Sequence, residues 1–327
     1  VRAPRFWQSN GLITLALKPL SYGWQAAACL RHLATKPYAA PMPVLCIGNV
    51  VAGGAGKTPV ALDLLQRLRH RGDKPFALTR GYGGQQPGPL LIDRQHHTAV
   101  DVGDEALLLA AVAPTVVARN RAEGARLAAA HSASALILDD GFQNPSLVKD
   151  LSLLVIDGAY GVGNGQIMPA GPLRESLSSA LNRCHAMIMI GDDVHRIASA
   201  LPQAKPILQA RLIPDNAATF SGQRFLAFAG IGRPEKFAAS LRDAGAEIIA
   251  FRAFADHHPY QEAEIAHLIA DAAANKAQLV TTAKDYVRLP SQFRDQIRVL
   301  RVKIVWDNAQ EVENLLNSFL AKGLTKK

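Results

Sequence analysis

Cysteine is nearly absent. Cys29, Cys46 and Cys184 form no C-x-x-C pair and are odd in number, which gives neither a disulfide framework nor a thiolate zinc site, and a reducing cytoplasmic setting fits. Aromatic residues make up only 6%, too few to interleave with basic side chains for base stacking, so no nucleic-acid partner is expected. No internal repeat or low-complexity tract occurs. The N-terminal stretch "FWQSNGLITLALKPLSYGWQAAACLRHL" is broken by Lys18-Pro19, short of the about 20 continuous apolar residues of a spanning helix and poor as a secretory signal. It does carry Trp7, Tyr22 and Trp24 with Arg2, Arg5, Lys18, Arg31 and Lys36, which suits a segment lying in the headgroup layer of a membrane. A helix packed on the chain's own core is the alternative, and the residues leave both open. The chain opens on Val1 rather than methionine, which leaves open whether residues precede it.

The 327 residues, 49% of them hydrophobic, suffice for two domains with substantial cores, and a formal net charge of +9 favours an acidic partner. From Pro43 onward strand-like runs alternate with helical patterns: "PVLCIGN", "PFALTRGYGG", "TVVAR", "ALILDDG" and "LSLLVIDG" against "PVALDLLQRLRHRG", "GDEALLLAAVA" and "NRAEGARLAAAHS". Beyond about residue 210, "PEKFAASLRDAG", "AEIIAF", "EAEIAHLIADAAA", "AQLVTTAKD" and "IRVLRVKIVW" repeat the alternation, the last as one strand. The expected fold is α/β, a P-loop NTPase-type parallel sheet with helices on both faces plus a smaller C-terminal α/β domain. The expected units are a helical membrane-interface segment over 1–40, a nucleotide-binding domain over 41–210 and a C-terminal domain over 211–327 that completes the site. The closing "AKGLTKK" reads as a frayed tail.

Between a buried strand and a helix lies "VVAGGAGKTP". Gly53, Gly54, Ala55, Gly56, Lys57, Thr58 and Pro59 supply a backbone cradle for phosphates, with Lys57 for the terminal phosphates and Thr58 for Mg²⁺. Val51 stands where the usual spacing has its first glycine. Asp139 and Asp140 end a buried strand as a Walker B acidic group does, or cap the next helix. Ala52 replaces the signature lysine of the deviant Walker A ATPases, and Lys284 and Asp285 are adjacent, which fails the guanine-recognition spacing. Asp104 and Glu105 at a helix start are a base candidate or a cap. Asp256, His257 and His258 suit an Asp–His pair better than a zinc centre. Arg174, in a Gly/Pro-rich loop, is a candidate phosphate grip or an unliganded helix-start arginine.

Taken in order, "GNVVAGGAGKTP", "TRGYGG", "DVGDEALLLA", "NR" at 120 to 121, "LILDDGFQ", "GNGQIMPAGPLRE", "DHHPY" and "TAKDYVRL" resemble the tetraacyldisaccharide 4'-kinase family of Gram-negative bacteria over nearly the whole chain. The resemblance implies ATP-dependent phosphorylation of the 4'-hydroxyl of a tetraacyldisaccharide 1-phosphate in lipid A biosynthesis, at the cytoplasmic face of the inner membrane. It implies Asp104 as base paired with His257, Lys57 as a catalytic cation, and MgATP held by the glycine loop, Thr58, Asp139, Asp140 and Glu105. It implies glycolipid contacts from Asn49, Arg80, Gly81, Arg119, Asn120, Gln143 and Arg174. A monomer is expected. A membrane-associated ATPase switch is the competing reading.

Overall fold

The computed structural model describes residues 4–200 and 205–324. Arg2 and the last three residues of the expected tail lie outside the described residues. In chain order the elements are α1 (Leu12–Ala34), β1 (Val44–Gly48), α2 (Lys57–His70), β2 (Pro75–Thr79), β3 (Leu90–Leu91), α3 (Ala99–Val102), α4 (Asp104–Ala110), β4 (Thr115–Val117), α5 (Arg121–Ala130), β5 (Ala135–Asp139), β6 (Leu151–Asp157), α6 (Leu177–Arg183) and β7 (Ala186–Ile190). They continue with β8 (Ile207–Pro214), β9 (Arg224–Ala229), α7 (Pro234–Asp243), β10 (Glu247–Ala253), α8 (Glu262–Ala274), β11 (Gln278–Thr282), α9 (Ala283–Tyr286), β12 (Ile297–Leu300), β13 (Val302–Trp306) and α10 (Ala309–Leu324).

A nine-stranded sheet runs β13-β8-β7-β6-β1-β5-β2-β4-β3, and a four-stranded sheet runs β10-β9-β11-β12. The central strands are parallel, as the unbroken apolar runs require when helices cover both faces. Alternation along β1 shows the logic. Val44 and Cys46 enter one core with Ala125, Ala128 and Leu181, while Leu45 and Ile47 enter the other with Leu64, Leu68, Leu316 and Phe319. The small sheet is parallel throughout, with α7 on one face and α8 on the other.

Three features depart from expectation. The edges of the large sheet are antiparallel, β3 on β4 and β13 on β8. The run read as one strand breaks at Arg301: β12 pairs with β11 in the small sheet, and β13 returns to the large one. The expected unit 211–327 is therefore divided, because β13 and α10 complete the large sheet and its core. The unanticipated β7 lies within the large sheet and α10 packs on one of its faces, and the chain is helical to Leu324 where fraying was expected.

The two sheets are also clamped side chain to side chain. Asp157, buried at the end of β6, is gripped by Arg233 and Lys236 from the start of α7, and the Arg233 guanidinium stacks 4.1 Å from the Tyr160 ring centroid. This fastens the small sheet across the carboxyl ends of the large sheet's strands.

Helix α1 runs through Pro19 without a break, and its polarity is inverted. Its buried side chains are Thr14 and Ser21, whereas Leu12, Ile13, Leu15, Leu20, Leu30 and Leu33 face outward, 86% exposed at Leu12 and 80% at Leu33. Polar side chains tie it down: Ser21 Oγ donates to Ile167 O at 2.7 Å and Trp24 Nε1 to Arg174 O at 3.1 Å. A helix packed on the core would turn its leucines inward; this one does the reverse. Among the described residues no helix is long and apolar enough to cross a membrane.

Candidate active site

The crevice lies beyond the carboxyl ends of β1 and β5, adjacent strands with Ile47 opposite Asp139. Gly53 and Gly56 take φ of +121° and +86°, conformations that glycine adopts freely, and a Cβ on Gly56 would stand 2.5 Å from Ile190 Cδ1. Pro59 is tolerated because the first helical turn needs no donor there. Val51 in place of glycine is explained by its surroundings. Its side chain is buried, it bridges to Leu173, Ala52 N donates to Pro172 O at 2.8 Å, and Arg174 N donates to Val50 O at 2.7 Å. The loop's start is thus a short paired segment, in which a β-branched residue fits.

Lys57 Nζ reaches back to Asn49 Oδ1 at 3.1 Å and to Asp140 Oδ1 at 3.3 Å. Asn49, expected to meet substrate, is fully buried and also donates to Val51 O and Gly53 O, so it braces the loop and aims the lysine. Gln143 donates to Asn49 O and to Glu175 Oε1, one layer further out. Asp140, at φ +53°, receives both oxygens' contacts from Arg174 Nη1 at 2.8 and 3.0 Å. Burial pushes its pKa upward, but Lys57 and Arg174 overcome this and hold it at about 2. The arginine expected to grip substrate therefore grips a carboxylate.

Asp139 is the opposite case. It is 1% exposed, neither carboxylate oxygen has a partner, and burial with Glu105 nearby raises its pKa to about 7. The folded chain holds that proton more tightly than the unfolded one, so this carboxyl stabilises the fold below about pH 4 and loses that contribution as pH rises through about 7. Asp140 acts in a separate window, its contribution complete above about pH 4 and lost toward about 2. The melting temperature of the chain without nucleotide is expected to fall from about pH 4 to 7, and Asp139→Asn to remove that slope. Melts followed by circular dichroism decide it, an unchanged slope contradicting the assignment.

The second half of the crevice joins both sheets. Gly103, at φ +87° and so placed that a Cβ would stand 2.4 Å from Tyr82 O, starts α4 so that Asp104 sits buried. Asp104 Oδ1 accepts from the neighbouring Glu105 N at 2.8 Å, in the first turn of α4. Its Oδ2 meets His257 Nδ1 at 3.0 Å and Arg288 Nε at 3.3 Å, both from the small-sheet side. Burial raises its pKa, yet His257, Lys284 and Arg288 together lower it. Glu105 pairs with Lys284 at 3.3 Å, so the expected metal ligand has a protein partner. His258 turns away, pairing with Glu264 at 3.0 Å and stacking on Phe254.

Of the remaining expected residues, Arg80 and Arg119 stand exposed beyond the carboxyl ends of β2 and β4, on the side of the glycine loop. Gly81 takes φ +69° where a Cβ would meet Val117 Cγ1 at 2.6 Å. Asn120 spends its side chain capping α5, accepting from Ala122 N and Glu123 N. Arg121 is buried with Nη1 donating to Ala118 O at 2.7 Å. The sequence assigns no site role to Lys284 or Arg288. "TAKDYVRL" showed them, but only the pairing across the sheets reveals their partners.

The chain matches the family model described as tetraacyldisaccharide-1-P 4'-kinase over residues 13–321. It is 50% identical to a tetraacyldisaccharide 4'-kinase of Rhodospirillum centenum, with 98% of this chain and 97% of that one covered. It is 47% identical to the corresponding protein of Rhodospirillum rubrum, with 98% of each covered. A crystal structure of LpxK from Aquifex aeolicus, described as the apo form in complex with ATP, shares the fold at a TM-score of 0.75 and 23% identity, covering 94% of this chain and 100% of that one.

Proposed function

Since the chain belongs to the tetraacyldisaccharide-1-P 4'-kinase family, we propose that its crevice transfers the γ-phosphoryl group of ATP to the 4'-hydroxyl of a tetraacyldisaccharide 1-phosphate, in lipid A biosynthesis. It is a phosphotransferase with an alcohol group as acceptor. The observation that carries the assignment of roles is the buried Asp104 carboxylate, kept ionised by cations from the small sheet and joined to the phosphate loop through the proximity of Glu105 to Asp139.

The steps follow from the residues. Backbone donors at Gly53 to Gly56 and the N-terminus of α2 receive the phosphates of ATP, and Lys57 leaves Asp140 for the terminal phosphate oxygens. Asp104 takes the hydroxyl proton as the acceptor oxygen bonds to phosphorus, while the bond to ADP breaks and its electron pair departs with ADP. Thr58 and Asp139 would hold Mg²⁺, for which the two partnerless oxygens of Asp139 are suited. Such an ion would neutralise phosphate charge, and among the described residues no three acidic, histidine or cysteine side chains gather to hold it alone, so phosphate and water oxygens would complete its shell. Arg80, Gly81 and Arg119 are assigned to the glycolipid. Asn49, Gln143 and Asn120 are assigned to bracing. The chain supplies every residue of this site, and a monomer is proposed.

Four acyl chains keep the substrate in the bilayer, each buried CH₂ contributing about 0.8 kcal/mol. The outward leucines of α1 and the positive net charge suit a chain resting on an anionic membrane face, proposed as the inner membrane's cytoplasmic side. Leu20→Glu with Leu30→Glu, both on the exposed face, is expected to lower binding to anionic vesicles about tenfold or more without loss of helix content. Equal flotation of variant and parent would contradict that placement. The transfer itself is tested with labelled ATP and a disaccharide 1-phosphate glycolipid in mixed micelles. Labelled lipid is expected; ATP hydrolysis with no labelled lipid would leave the ATPase reading.

A further inference from the structure

Beyond helping to keep Asp104 ionised, Lys284 has no step in the chemistry above, yet its ammonium stands 3.3 Å from Nε2 of His257 and 3.3 Å from Oε1 of Glu105. On the other edge of the same ring, Nδ1 lies 3.0 Å from Oδ2 of Asp104. An ammonium offers only donors and an ionised carboxylate only acceptors, so the two contacts together constrain the ring. Only an imidazole with its proton on Nδ1 satisfies both. The other neutral tautomer sets N–H against ammonium and a lone pair against carboxylate. The doubly protonated ring keeps Asp104 but turns N–H toward the ammonium.

We propose that Lys284 is a positioning residue that holds His257 as the neutral Nδ1–H tautomer, so that the imidazole serves Asp104 as a donor and is closed as a resting place for the acceptor's proton. The proposal rests on the reading of Asp104 as the base and deepens it. The proton taken from the hydroxyl then stays on the Asp104 carboxylate, and Nε2 offers it no onward route.

The surroundings support the same state. From α4 the ring faces Asp104, with Glu105 beyond Lys284; from its own segment it faces Asp256, whose Oδ1 is 3.8 Å from both Nε2 and Lys284 Nζ, too far for a hydrogen bond. The Tyr82 ring lies 5.0 Å away, centroid to centroid, and Arg288 acts on Asp104 rather than on the imidazole. Burial pulls the Lys284 pKa down, but Glu105, Asp104 and Asp256 overcome it and raise the value, so the residue remains an ammonium.

Both partners are fixed by one knot of contacts. Asp285, next to Lys284 and fully buried, accepts from Gly230 N at 2.8 Å, from Tyr260 OH at 2.7 Å and from Arg288 Nη2 at 2.7 Å. His257, at φ +59°, donates its own N–H to Gly230 O at 3.1 Å, and Arg288 donates to the same carbonyl. The tautomer is therefore set by a framework that also places the arginine on Asp104.

The test uses the full chain labelled with ¹⁵N-histidine and long-range ¹H–¹⁵N correlation at about pH 7, with His257 assigned among the ten histidines through His257→Asn. The expected spectrum has Nδ1 protonated and Nε2 bare. In Lys284→Met both nitrogens are expected to be protonated and kcat to fall about tenfold to a hundredfold, with Lys284→Arg restoring the tautomer and most of the rate. An Nε2–H tautomer in the unsubstituted chain, or a His257 signal unchanged in Lys284→Met, overturns the proposal even if the rate falls. Because the spectra need no substrate, they decide the tautomer whether or not the glycolipid proves to be the acceptor.

Discussion

Asp104→Asn is expected to lower kcat by about 10²–10⁴-fold while nucleotide affinity stays within about threefold. The carboxylate accepts on both oxygens, Oδ1 from Glu105 N and Oδ2 from the His257 and Arg288 side. An amide of the same shape offers one acceptor and one N–H₂, so one of those donors faces another donor, and the group that receives the hydroxyl proton is lost. The phosphate loop is untouched, since Asp104 is not among the partners of Lys57. Single-turnover transfer, nucleotide titration and a melting curve separate the effects. A loss under about tenfold in a folded variant would remove Asp104 from the role of base.

Lys57→Ala is expected to lower kcat/KM for ATP by about 10²–10³-fold, and unlike Asp104→Asn to weaken nucleotide binding as well. The lysine is aimed by a fully buried Asn49, and Asp140 retains Arg174 when the lysine is gone, so the fold around the loop has little cause to change. What disappears is the one positive side chain in the first turn of α2, where phosphate charge must be met. Steady-state kinetics at varied ATP decides this. Parent-like kcat and KM would mean that the phosphates lie elsewhere.

The phosphate loop was legible because its signals are local. A buried run, glycines at positive φ and Lys-Thr opening a helix stand within a few residues of one another, and Asp139-Asp140 closes the neighbouring strand. What sequence missed depends on partners far along the chain. Nothing local in the sequence shows that Arg174 pairs with Asp140, that Asn49 is buried against Lys57 or that Asn120 caps α5. Lys284 and Arg288 have no local signature, because their meaning comes from Asp104 and Glu105 some 180 residues earlier, at about one residue's precision of strand register. The ten-residue run ending at Trp306 read as one strand because periodicity reports burial and not which sheet provides it; Arg301 marks where the chain changes sheets. Helix α1 was ambiguous for the same reason, since its apolar face is visible in sequence but the direction it faces is not.

In the proposed reaction Asp104 and the phosphate loop together place phosphate on the 4'-oxygen of an acylated disaccharide. The most direct measurement is ³¹P–¹H correlation of the glycolipid after incubation of the full chain with ATP and Mg²⁺. A second phosphomonoester coupled to the proton at C4' is the predicted result, appearing in step with ADP and absent with Asp104→Asn. ADP released with inorganic phosphate, the glycolipid unchanged, would contradict it.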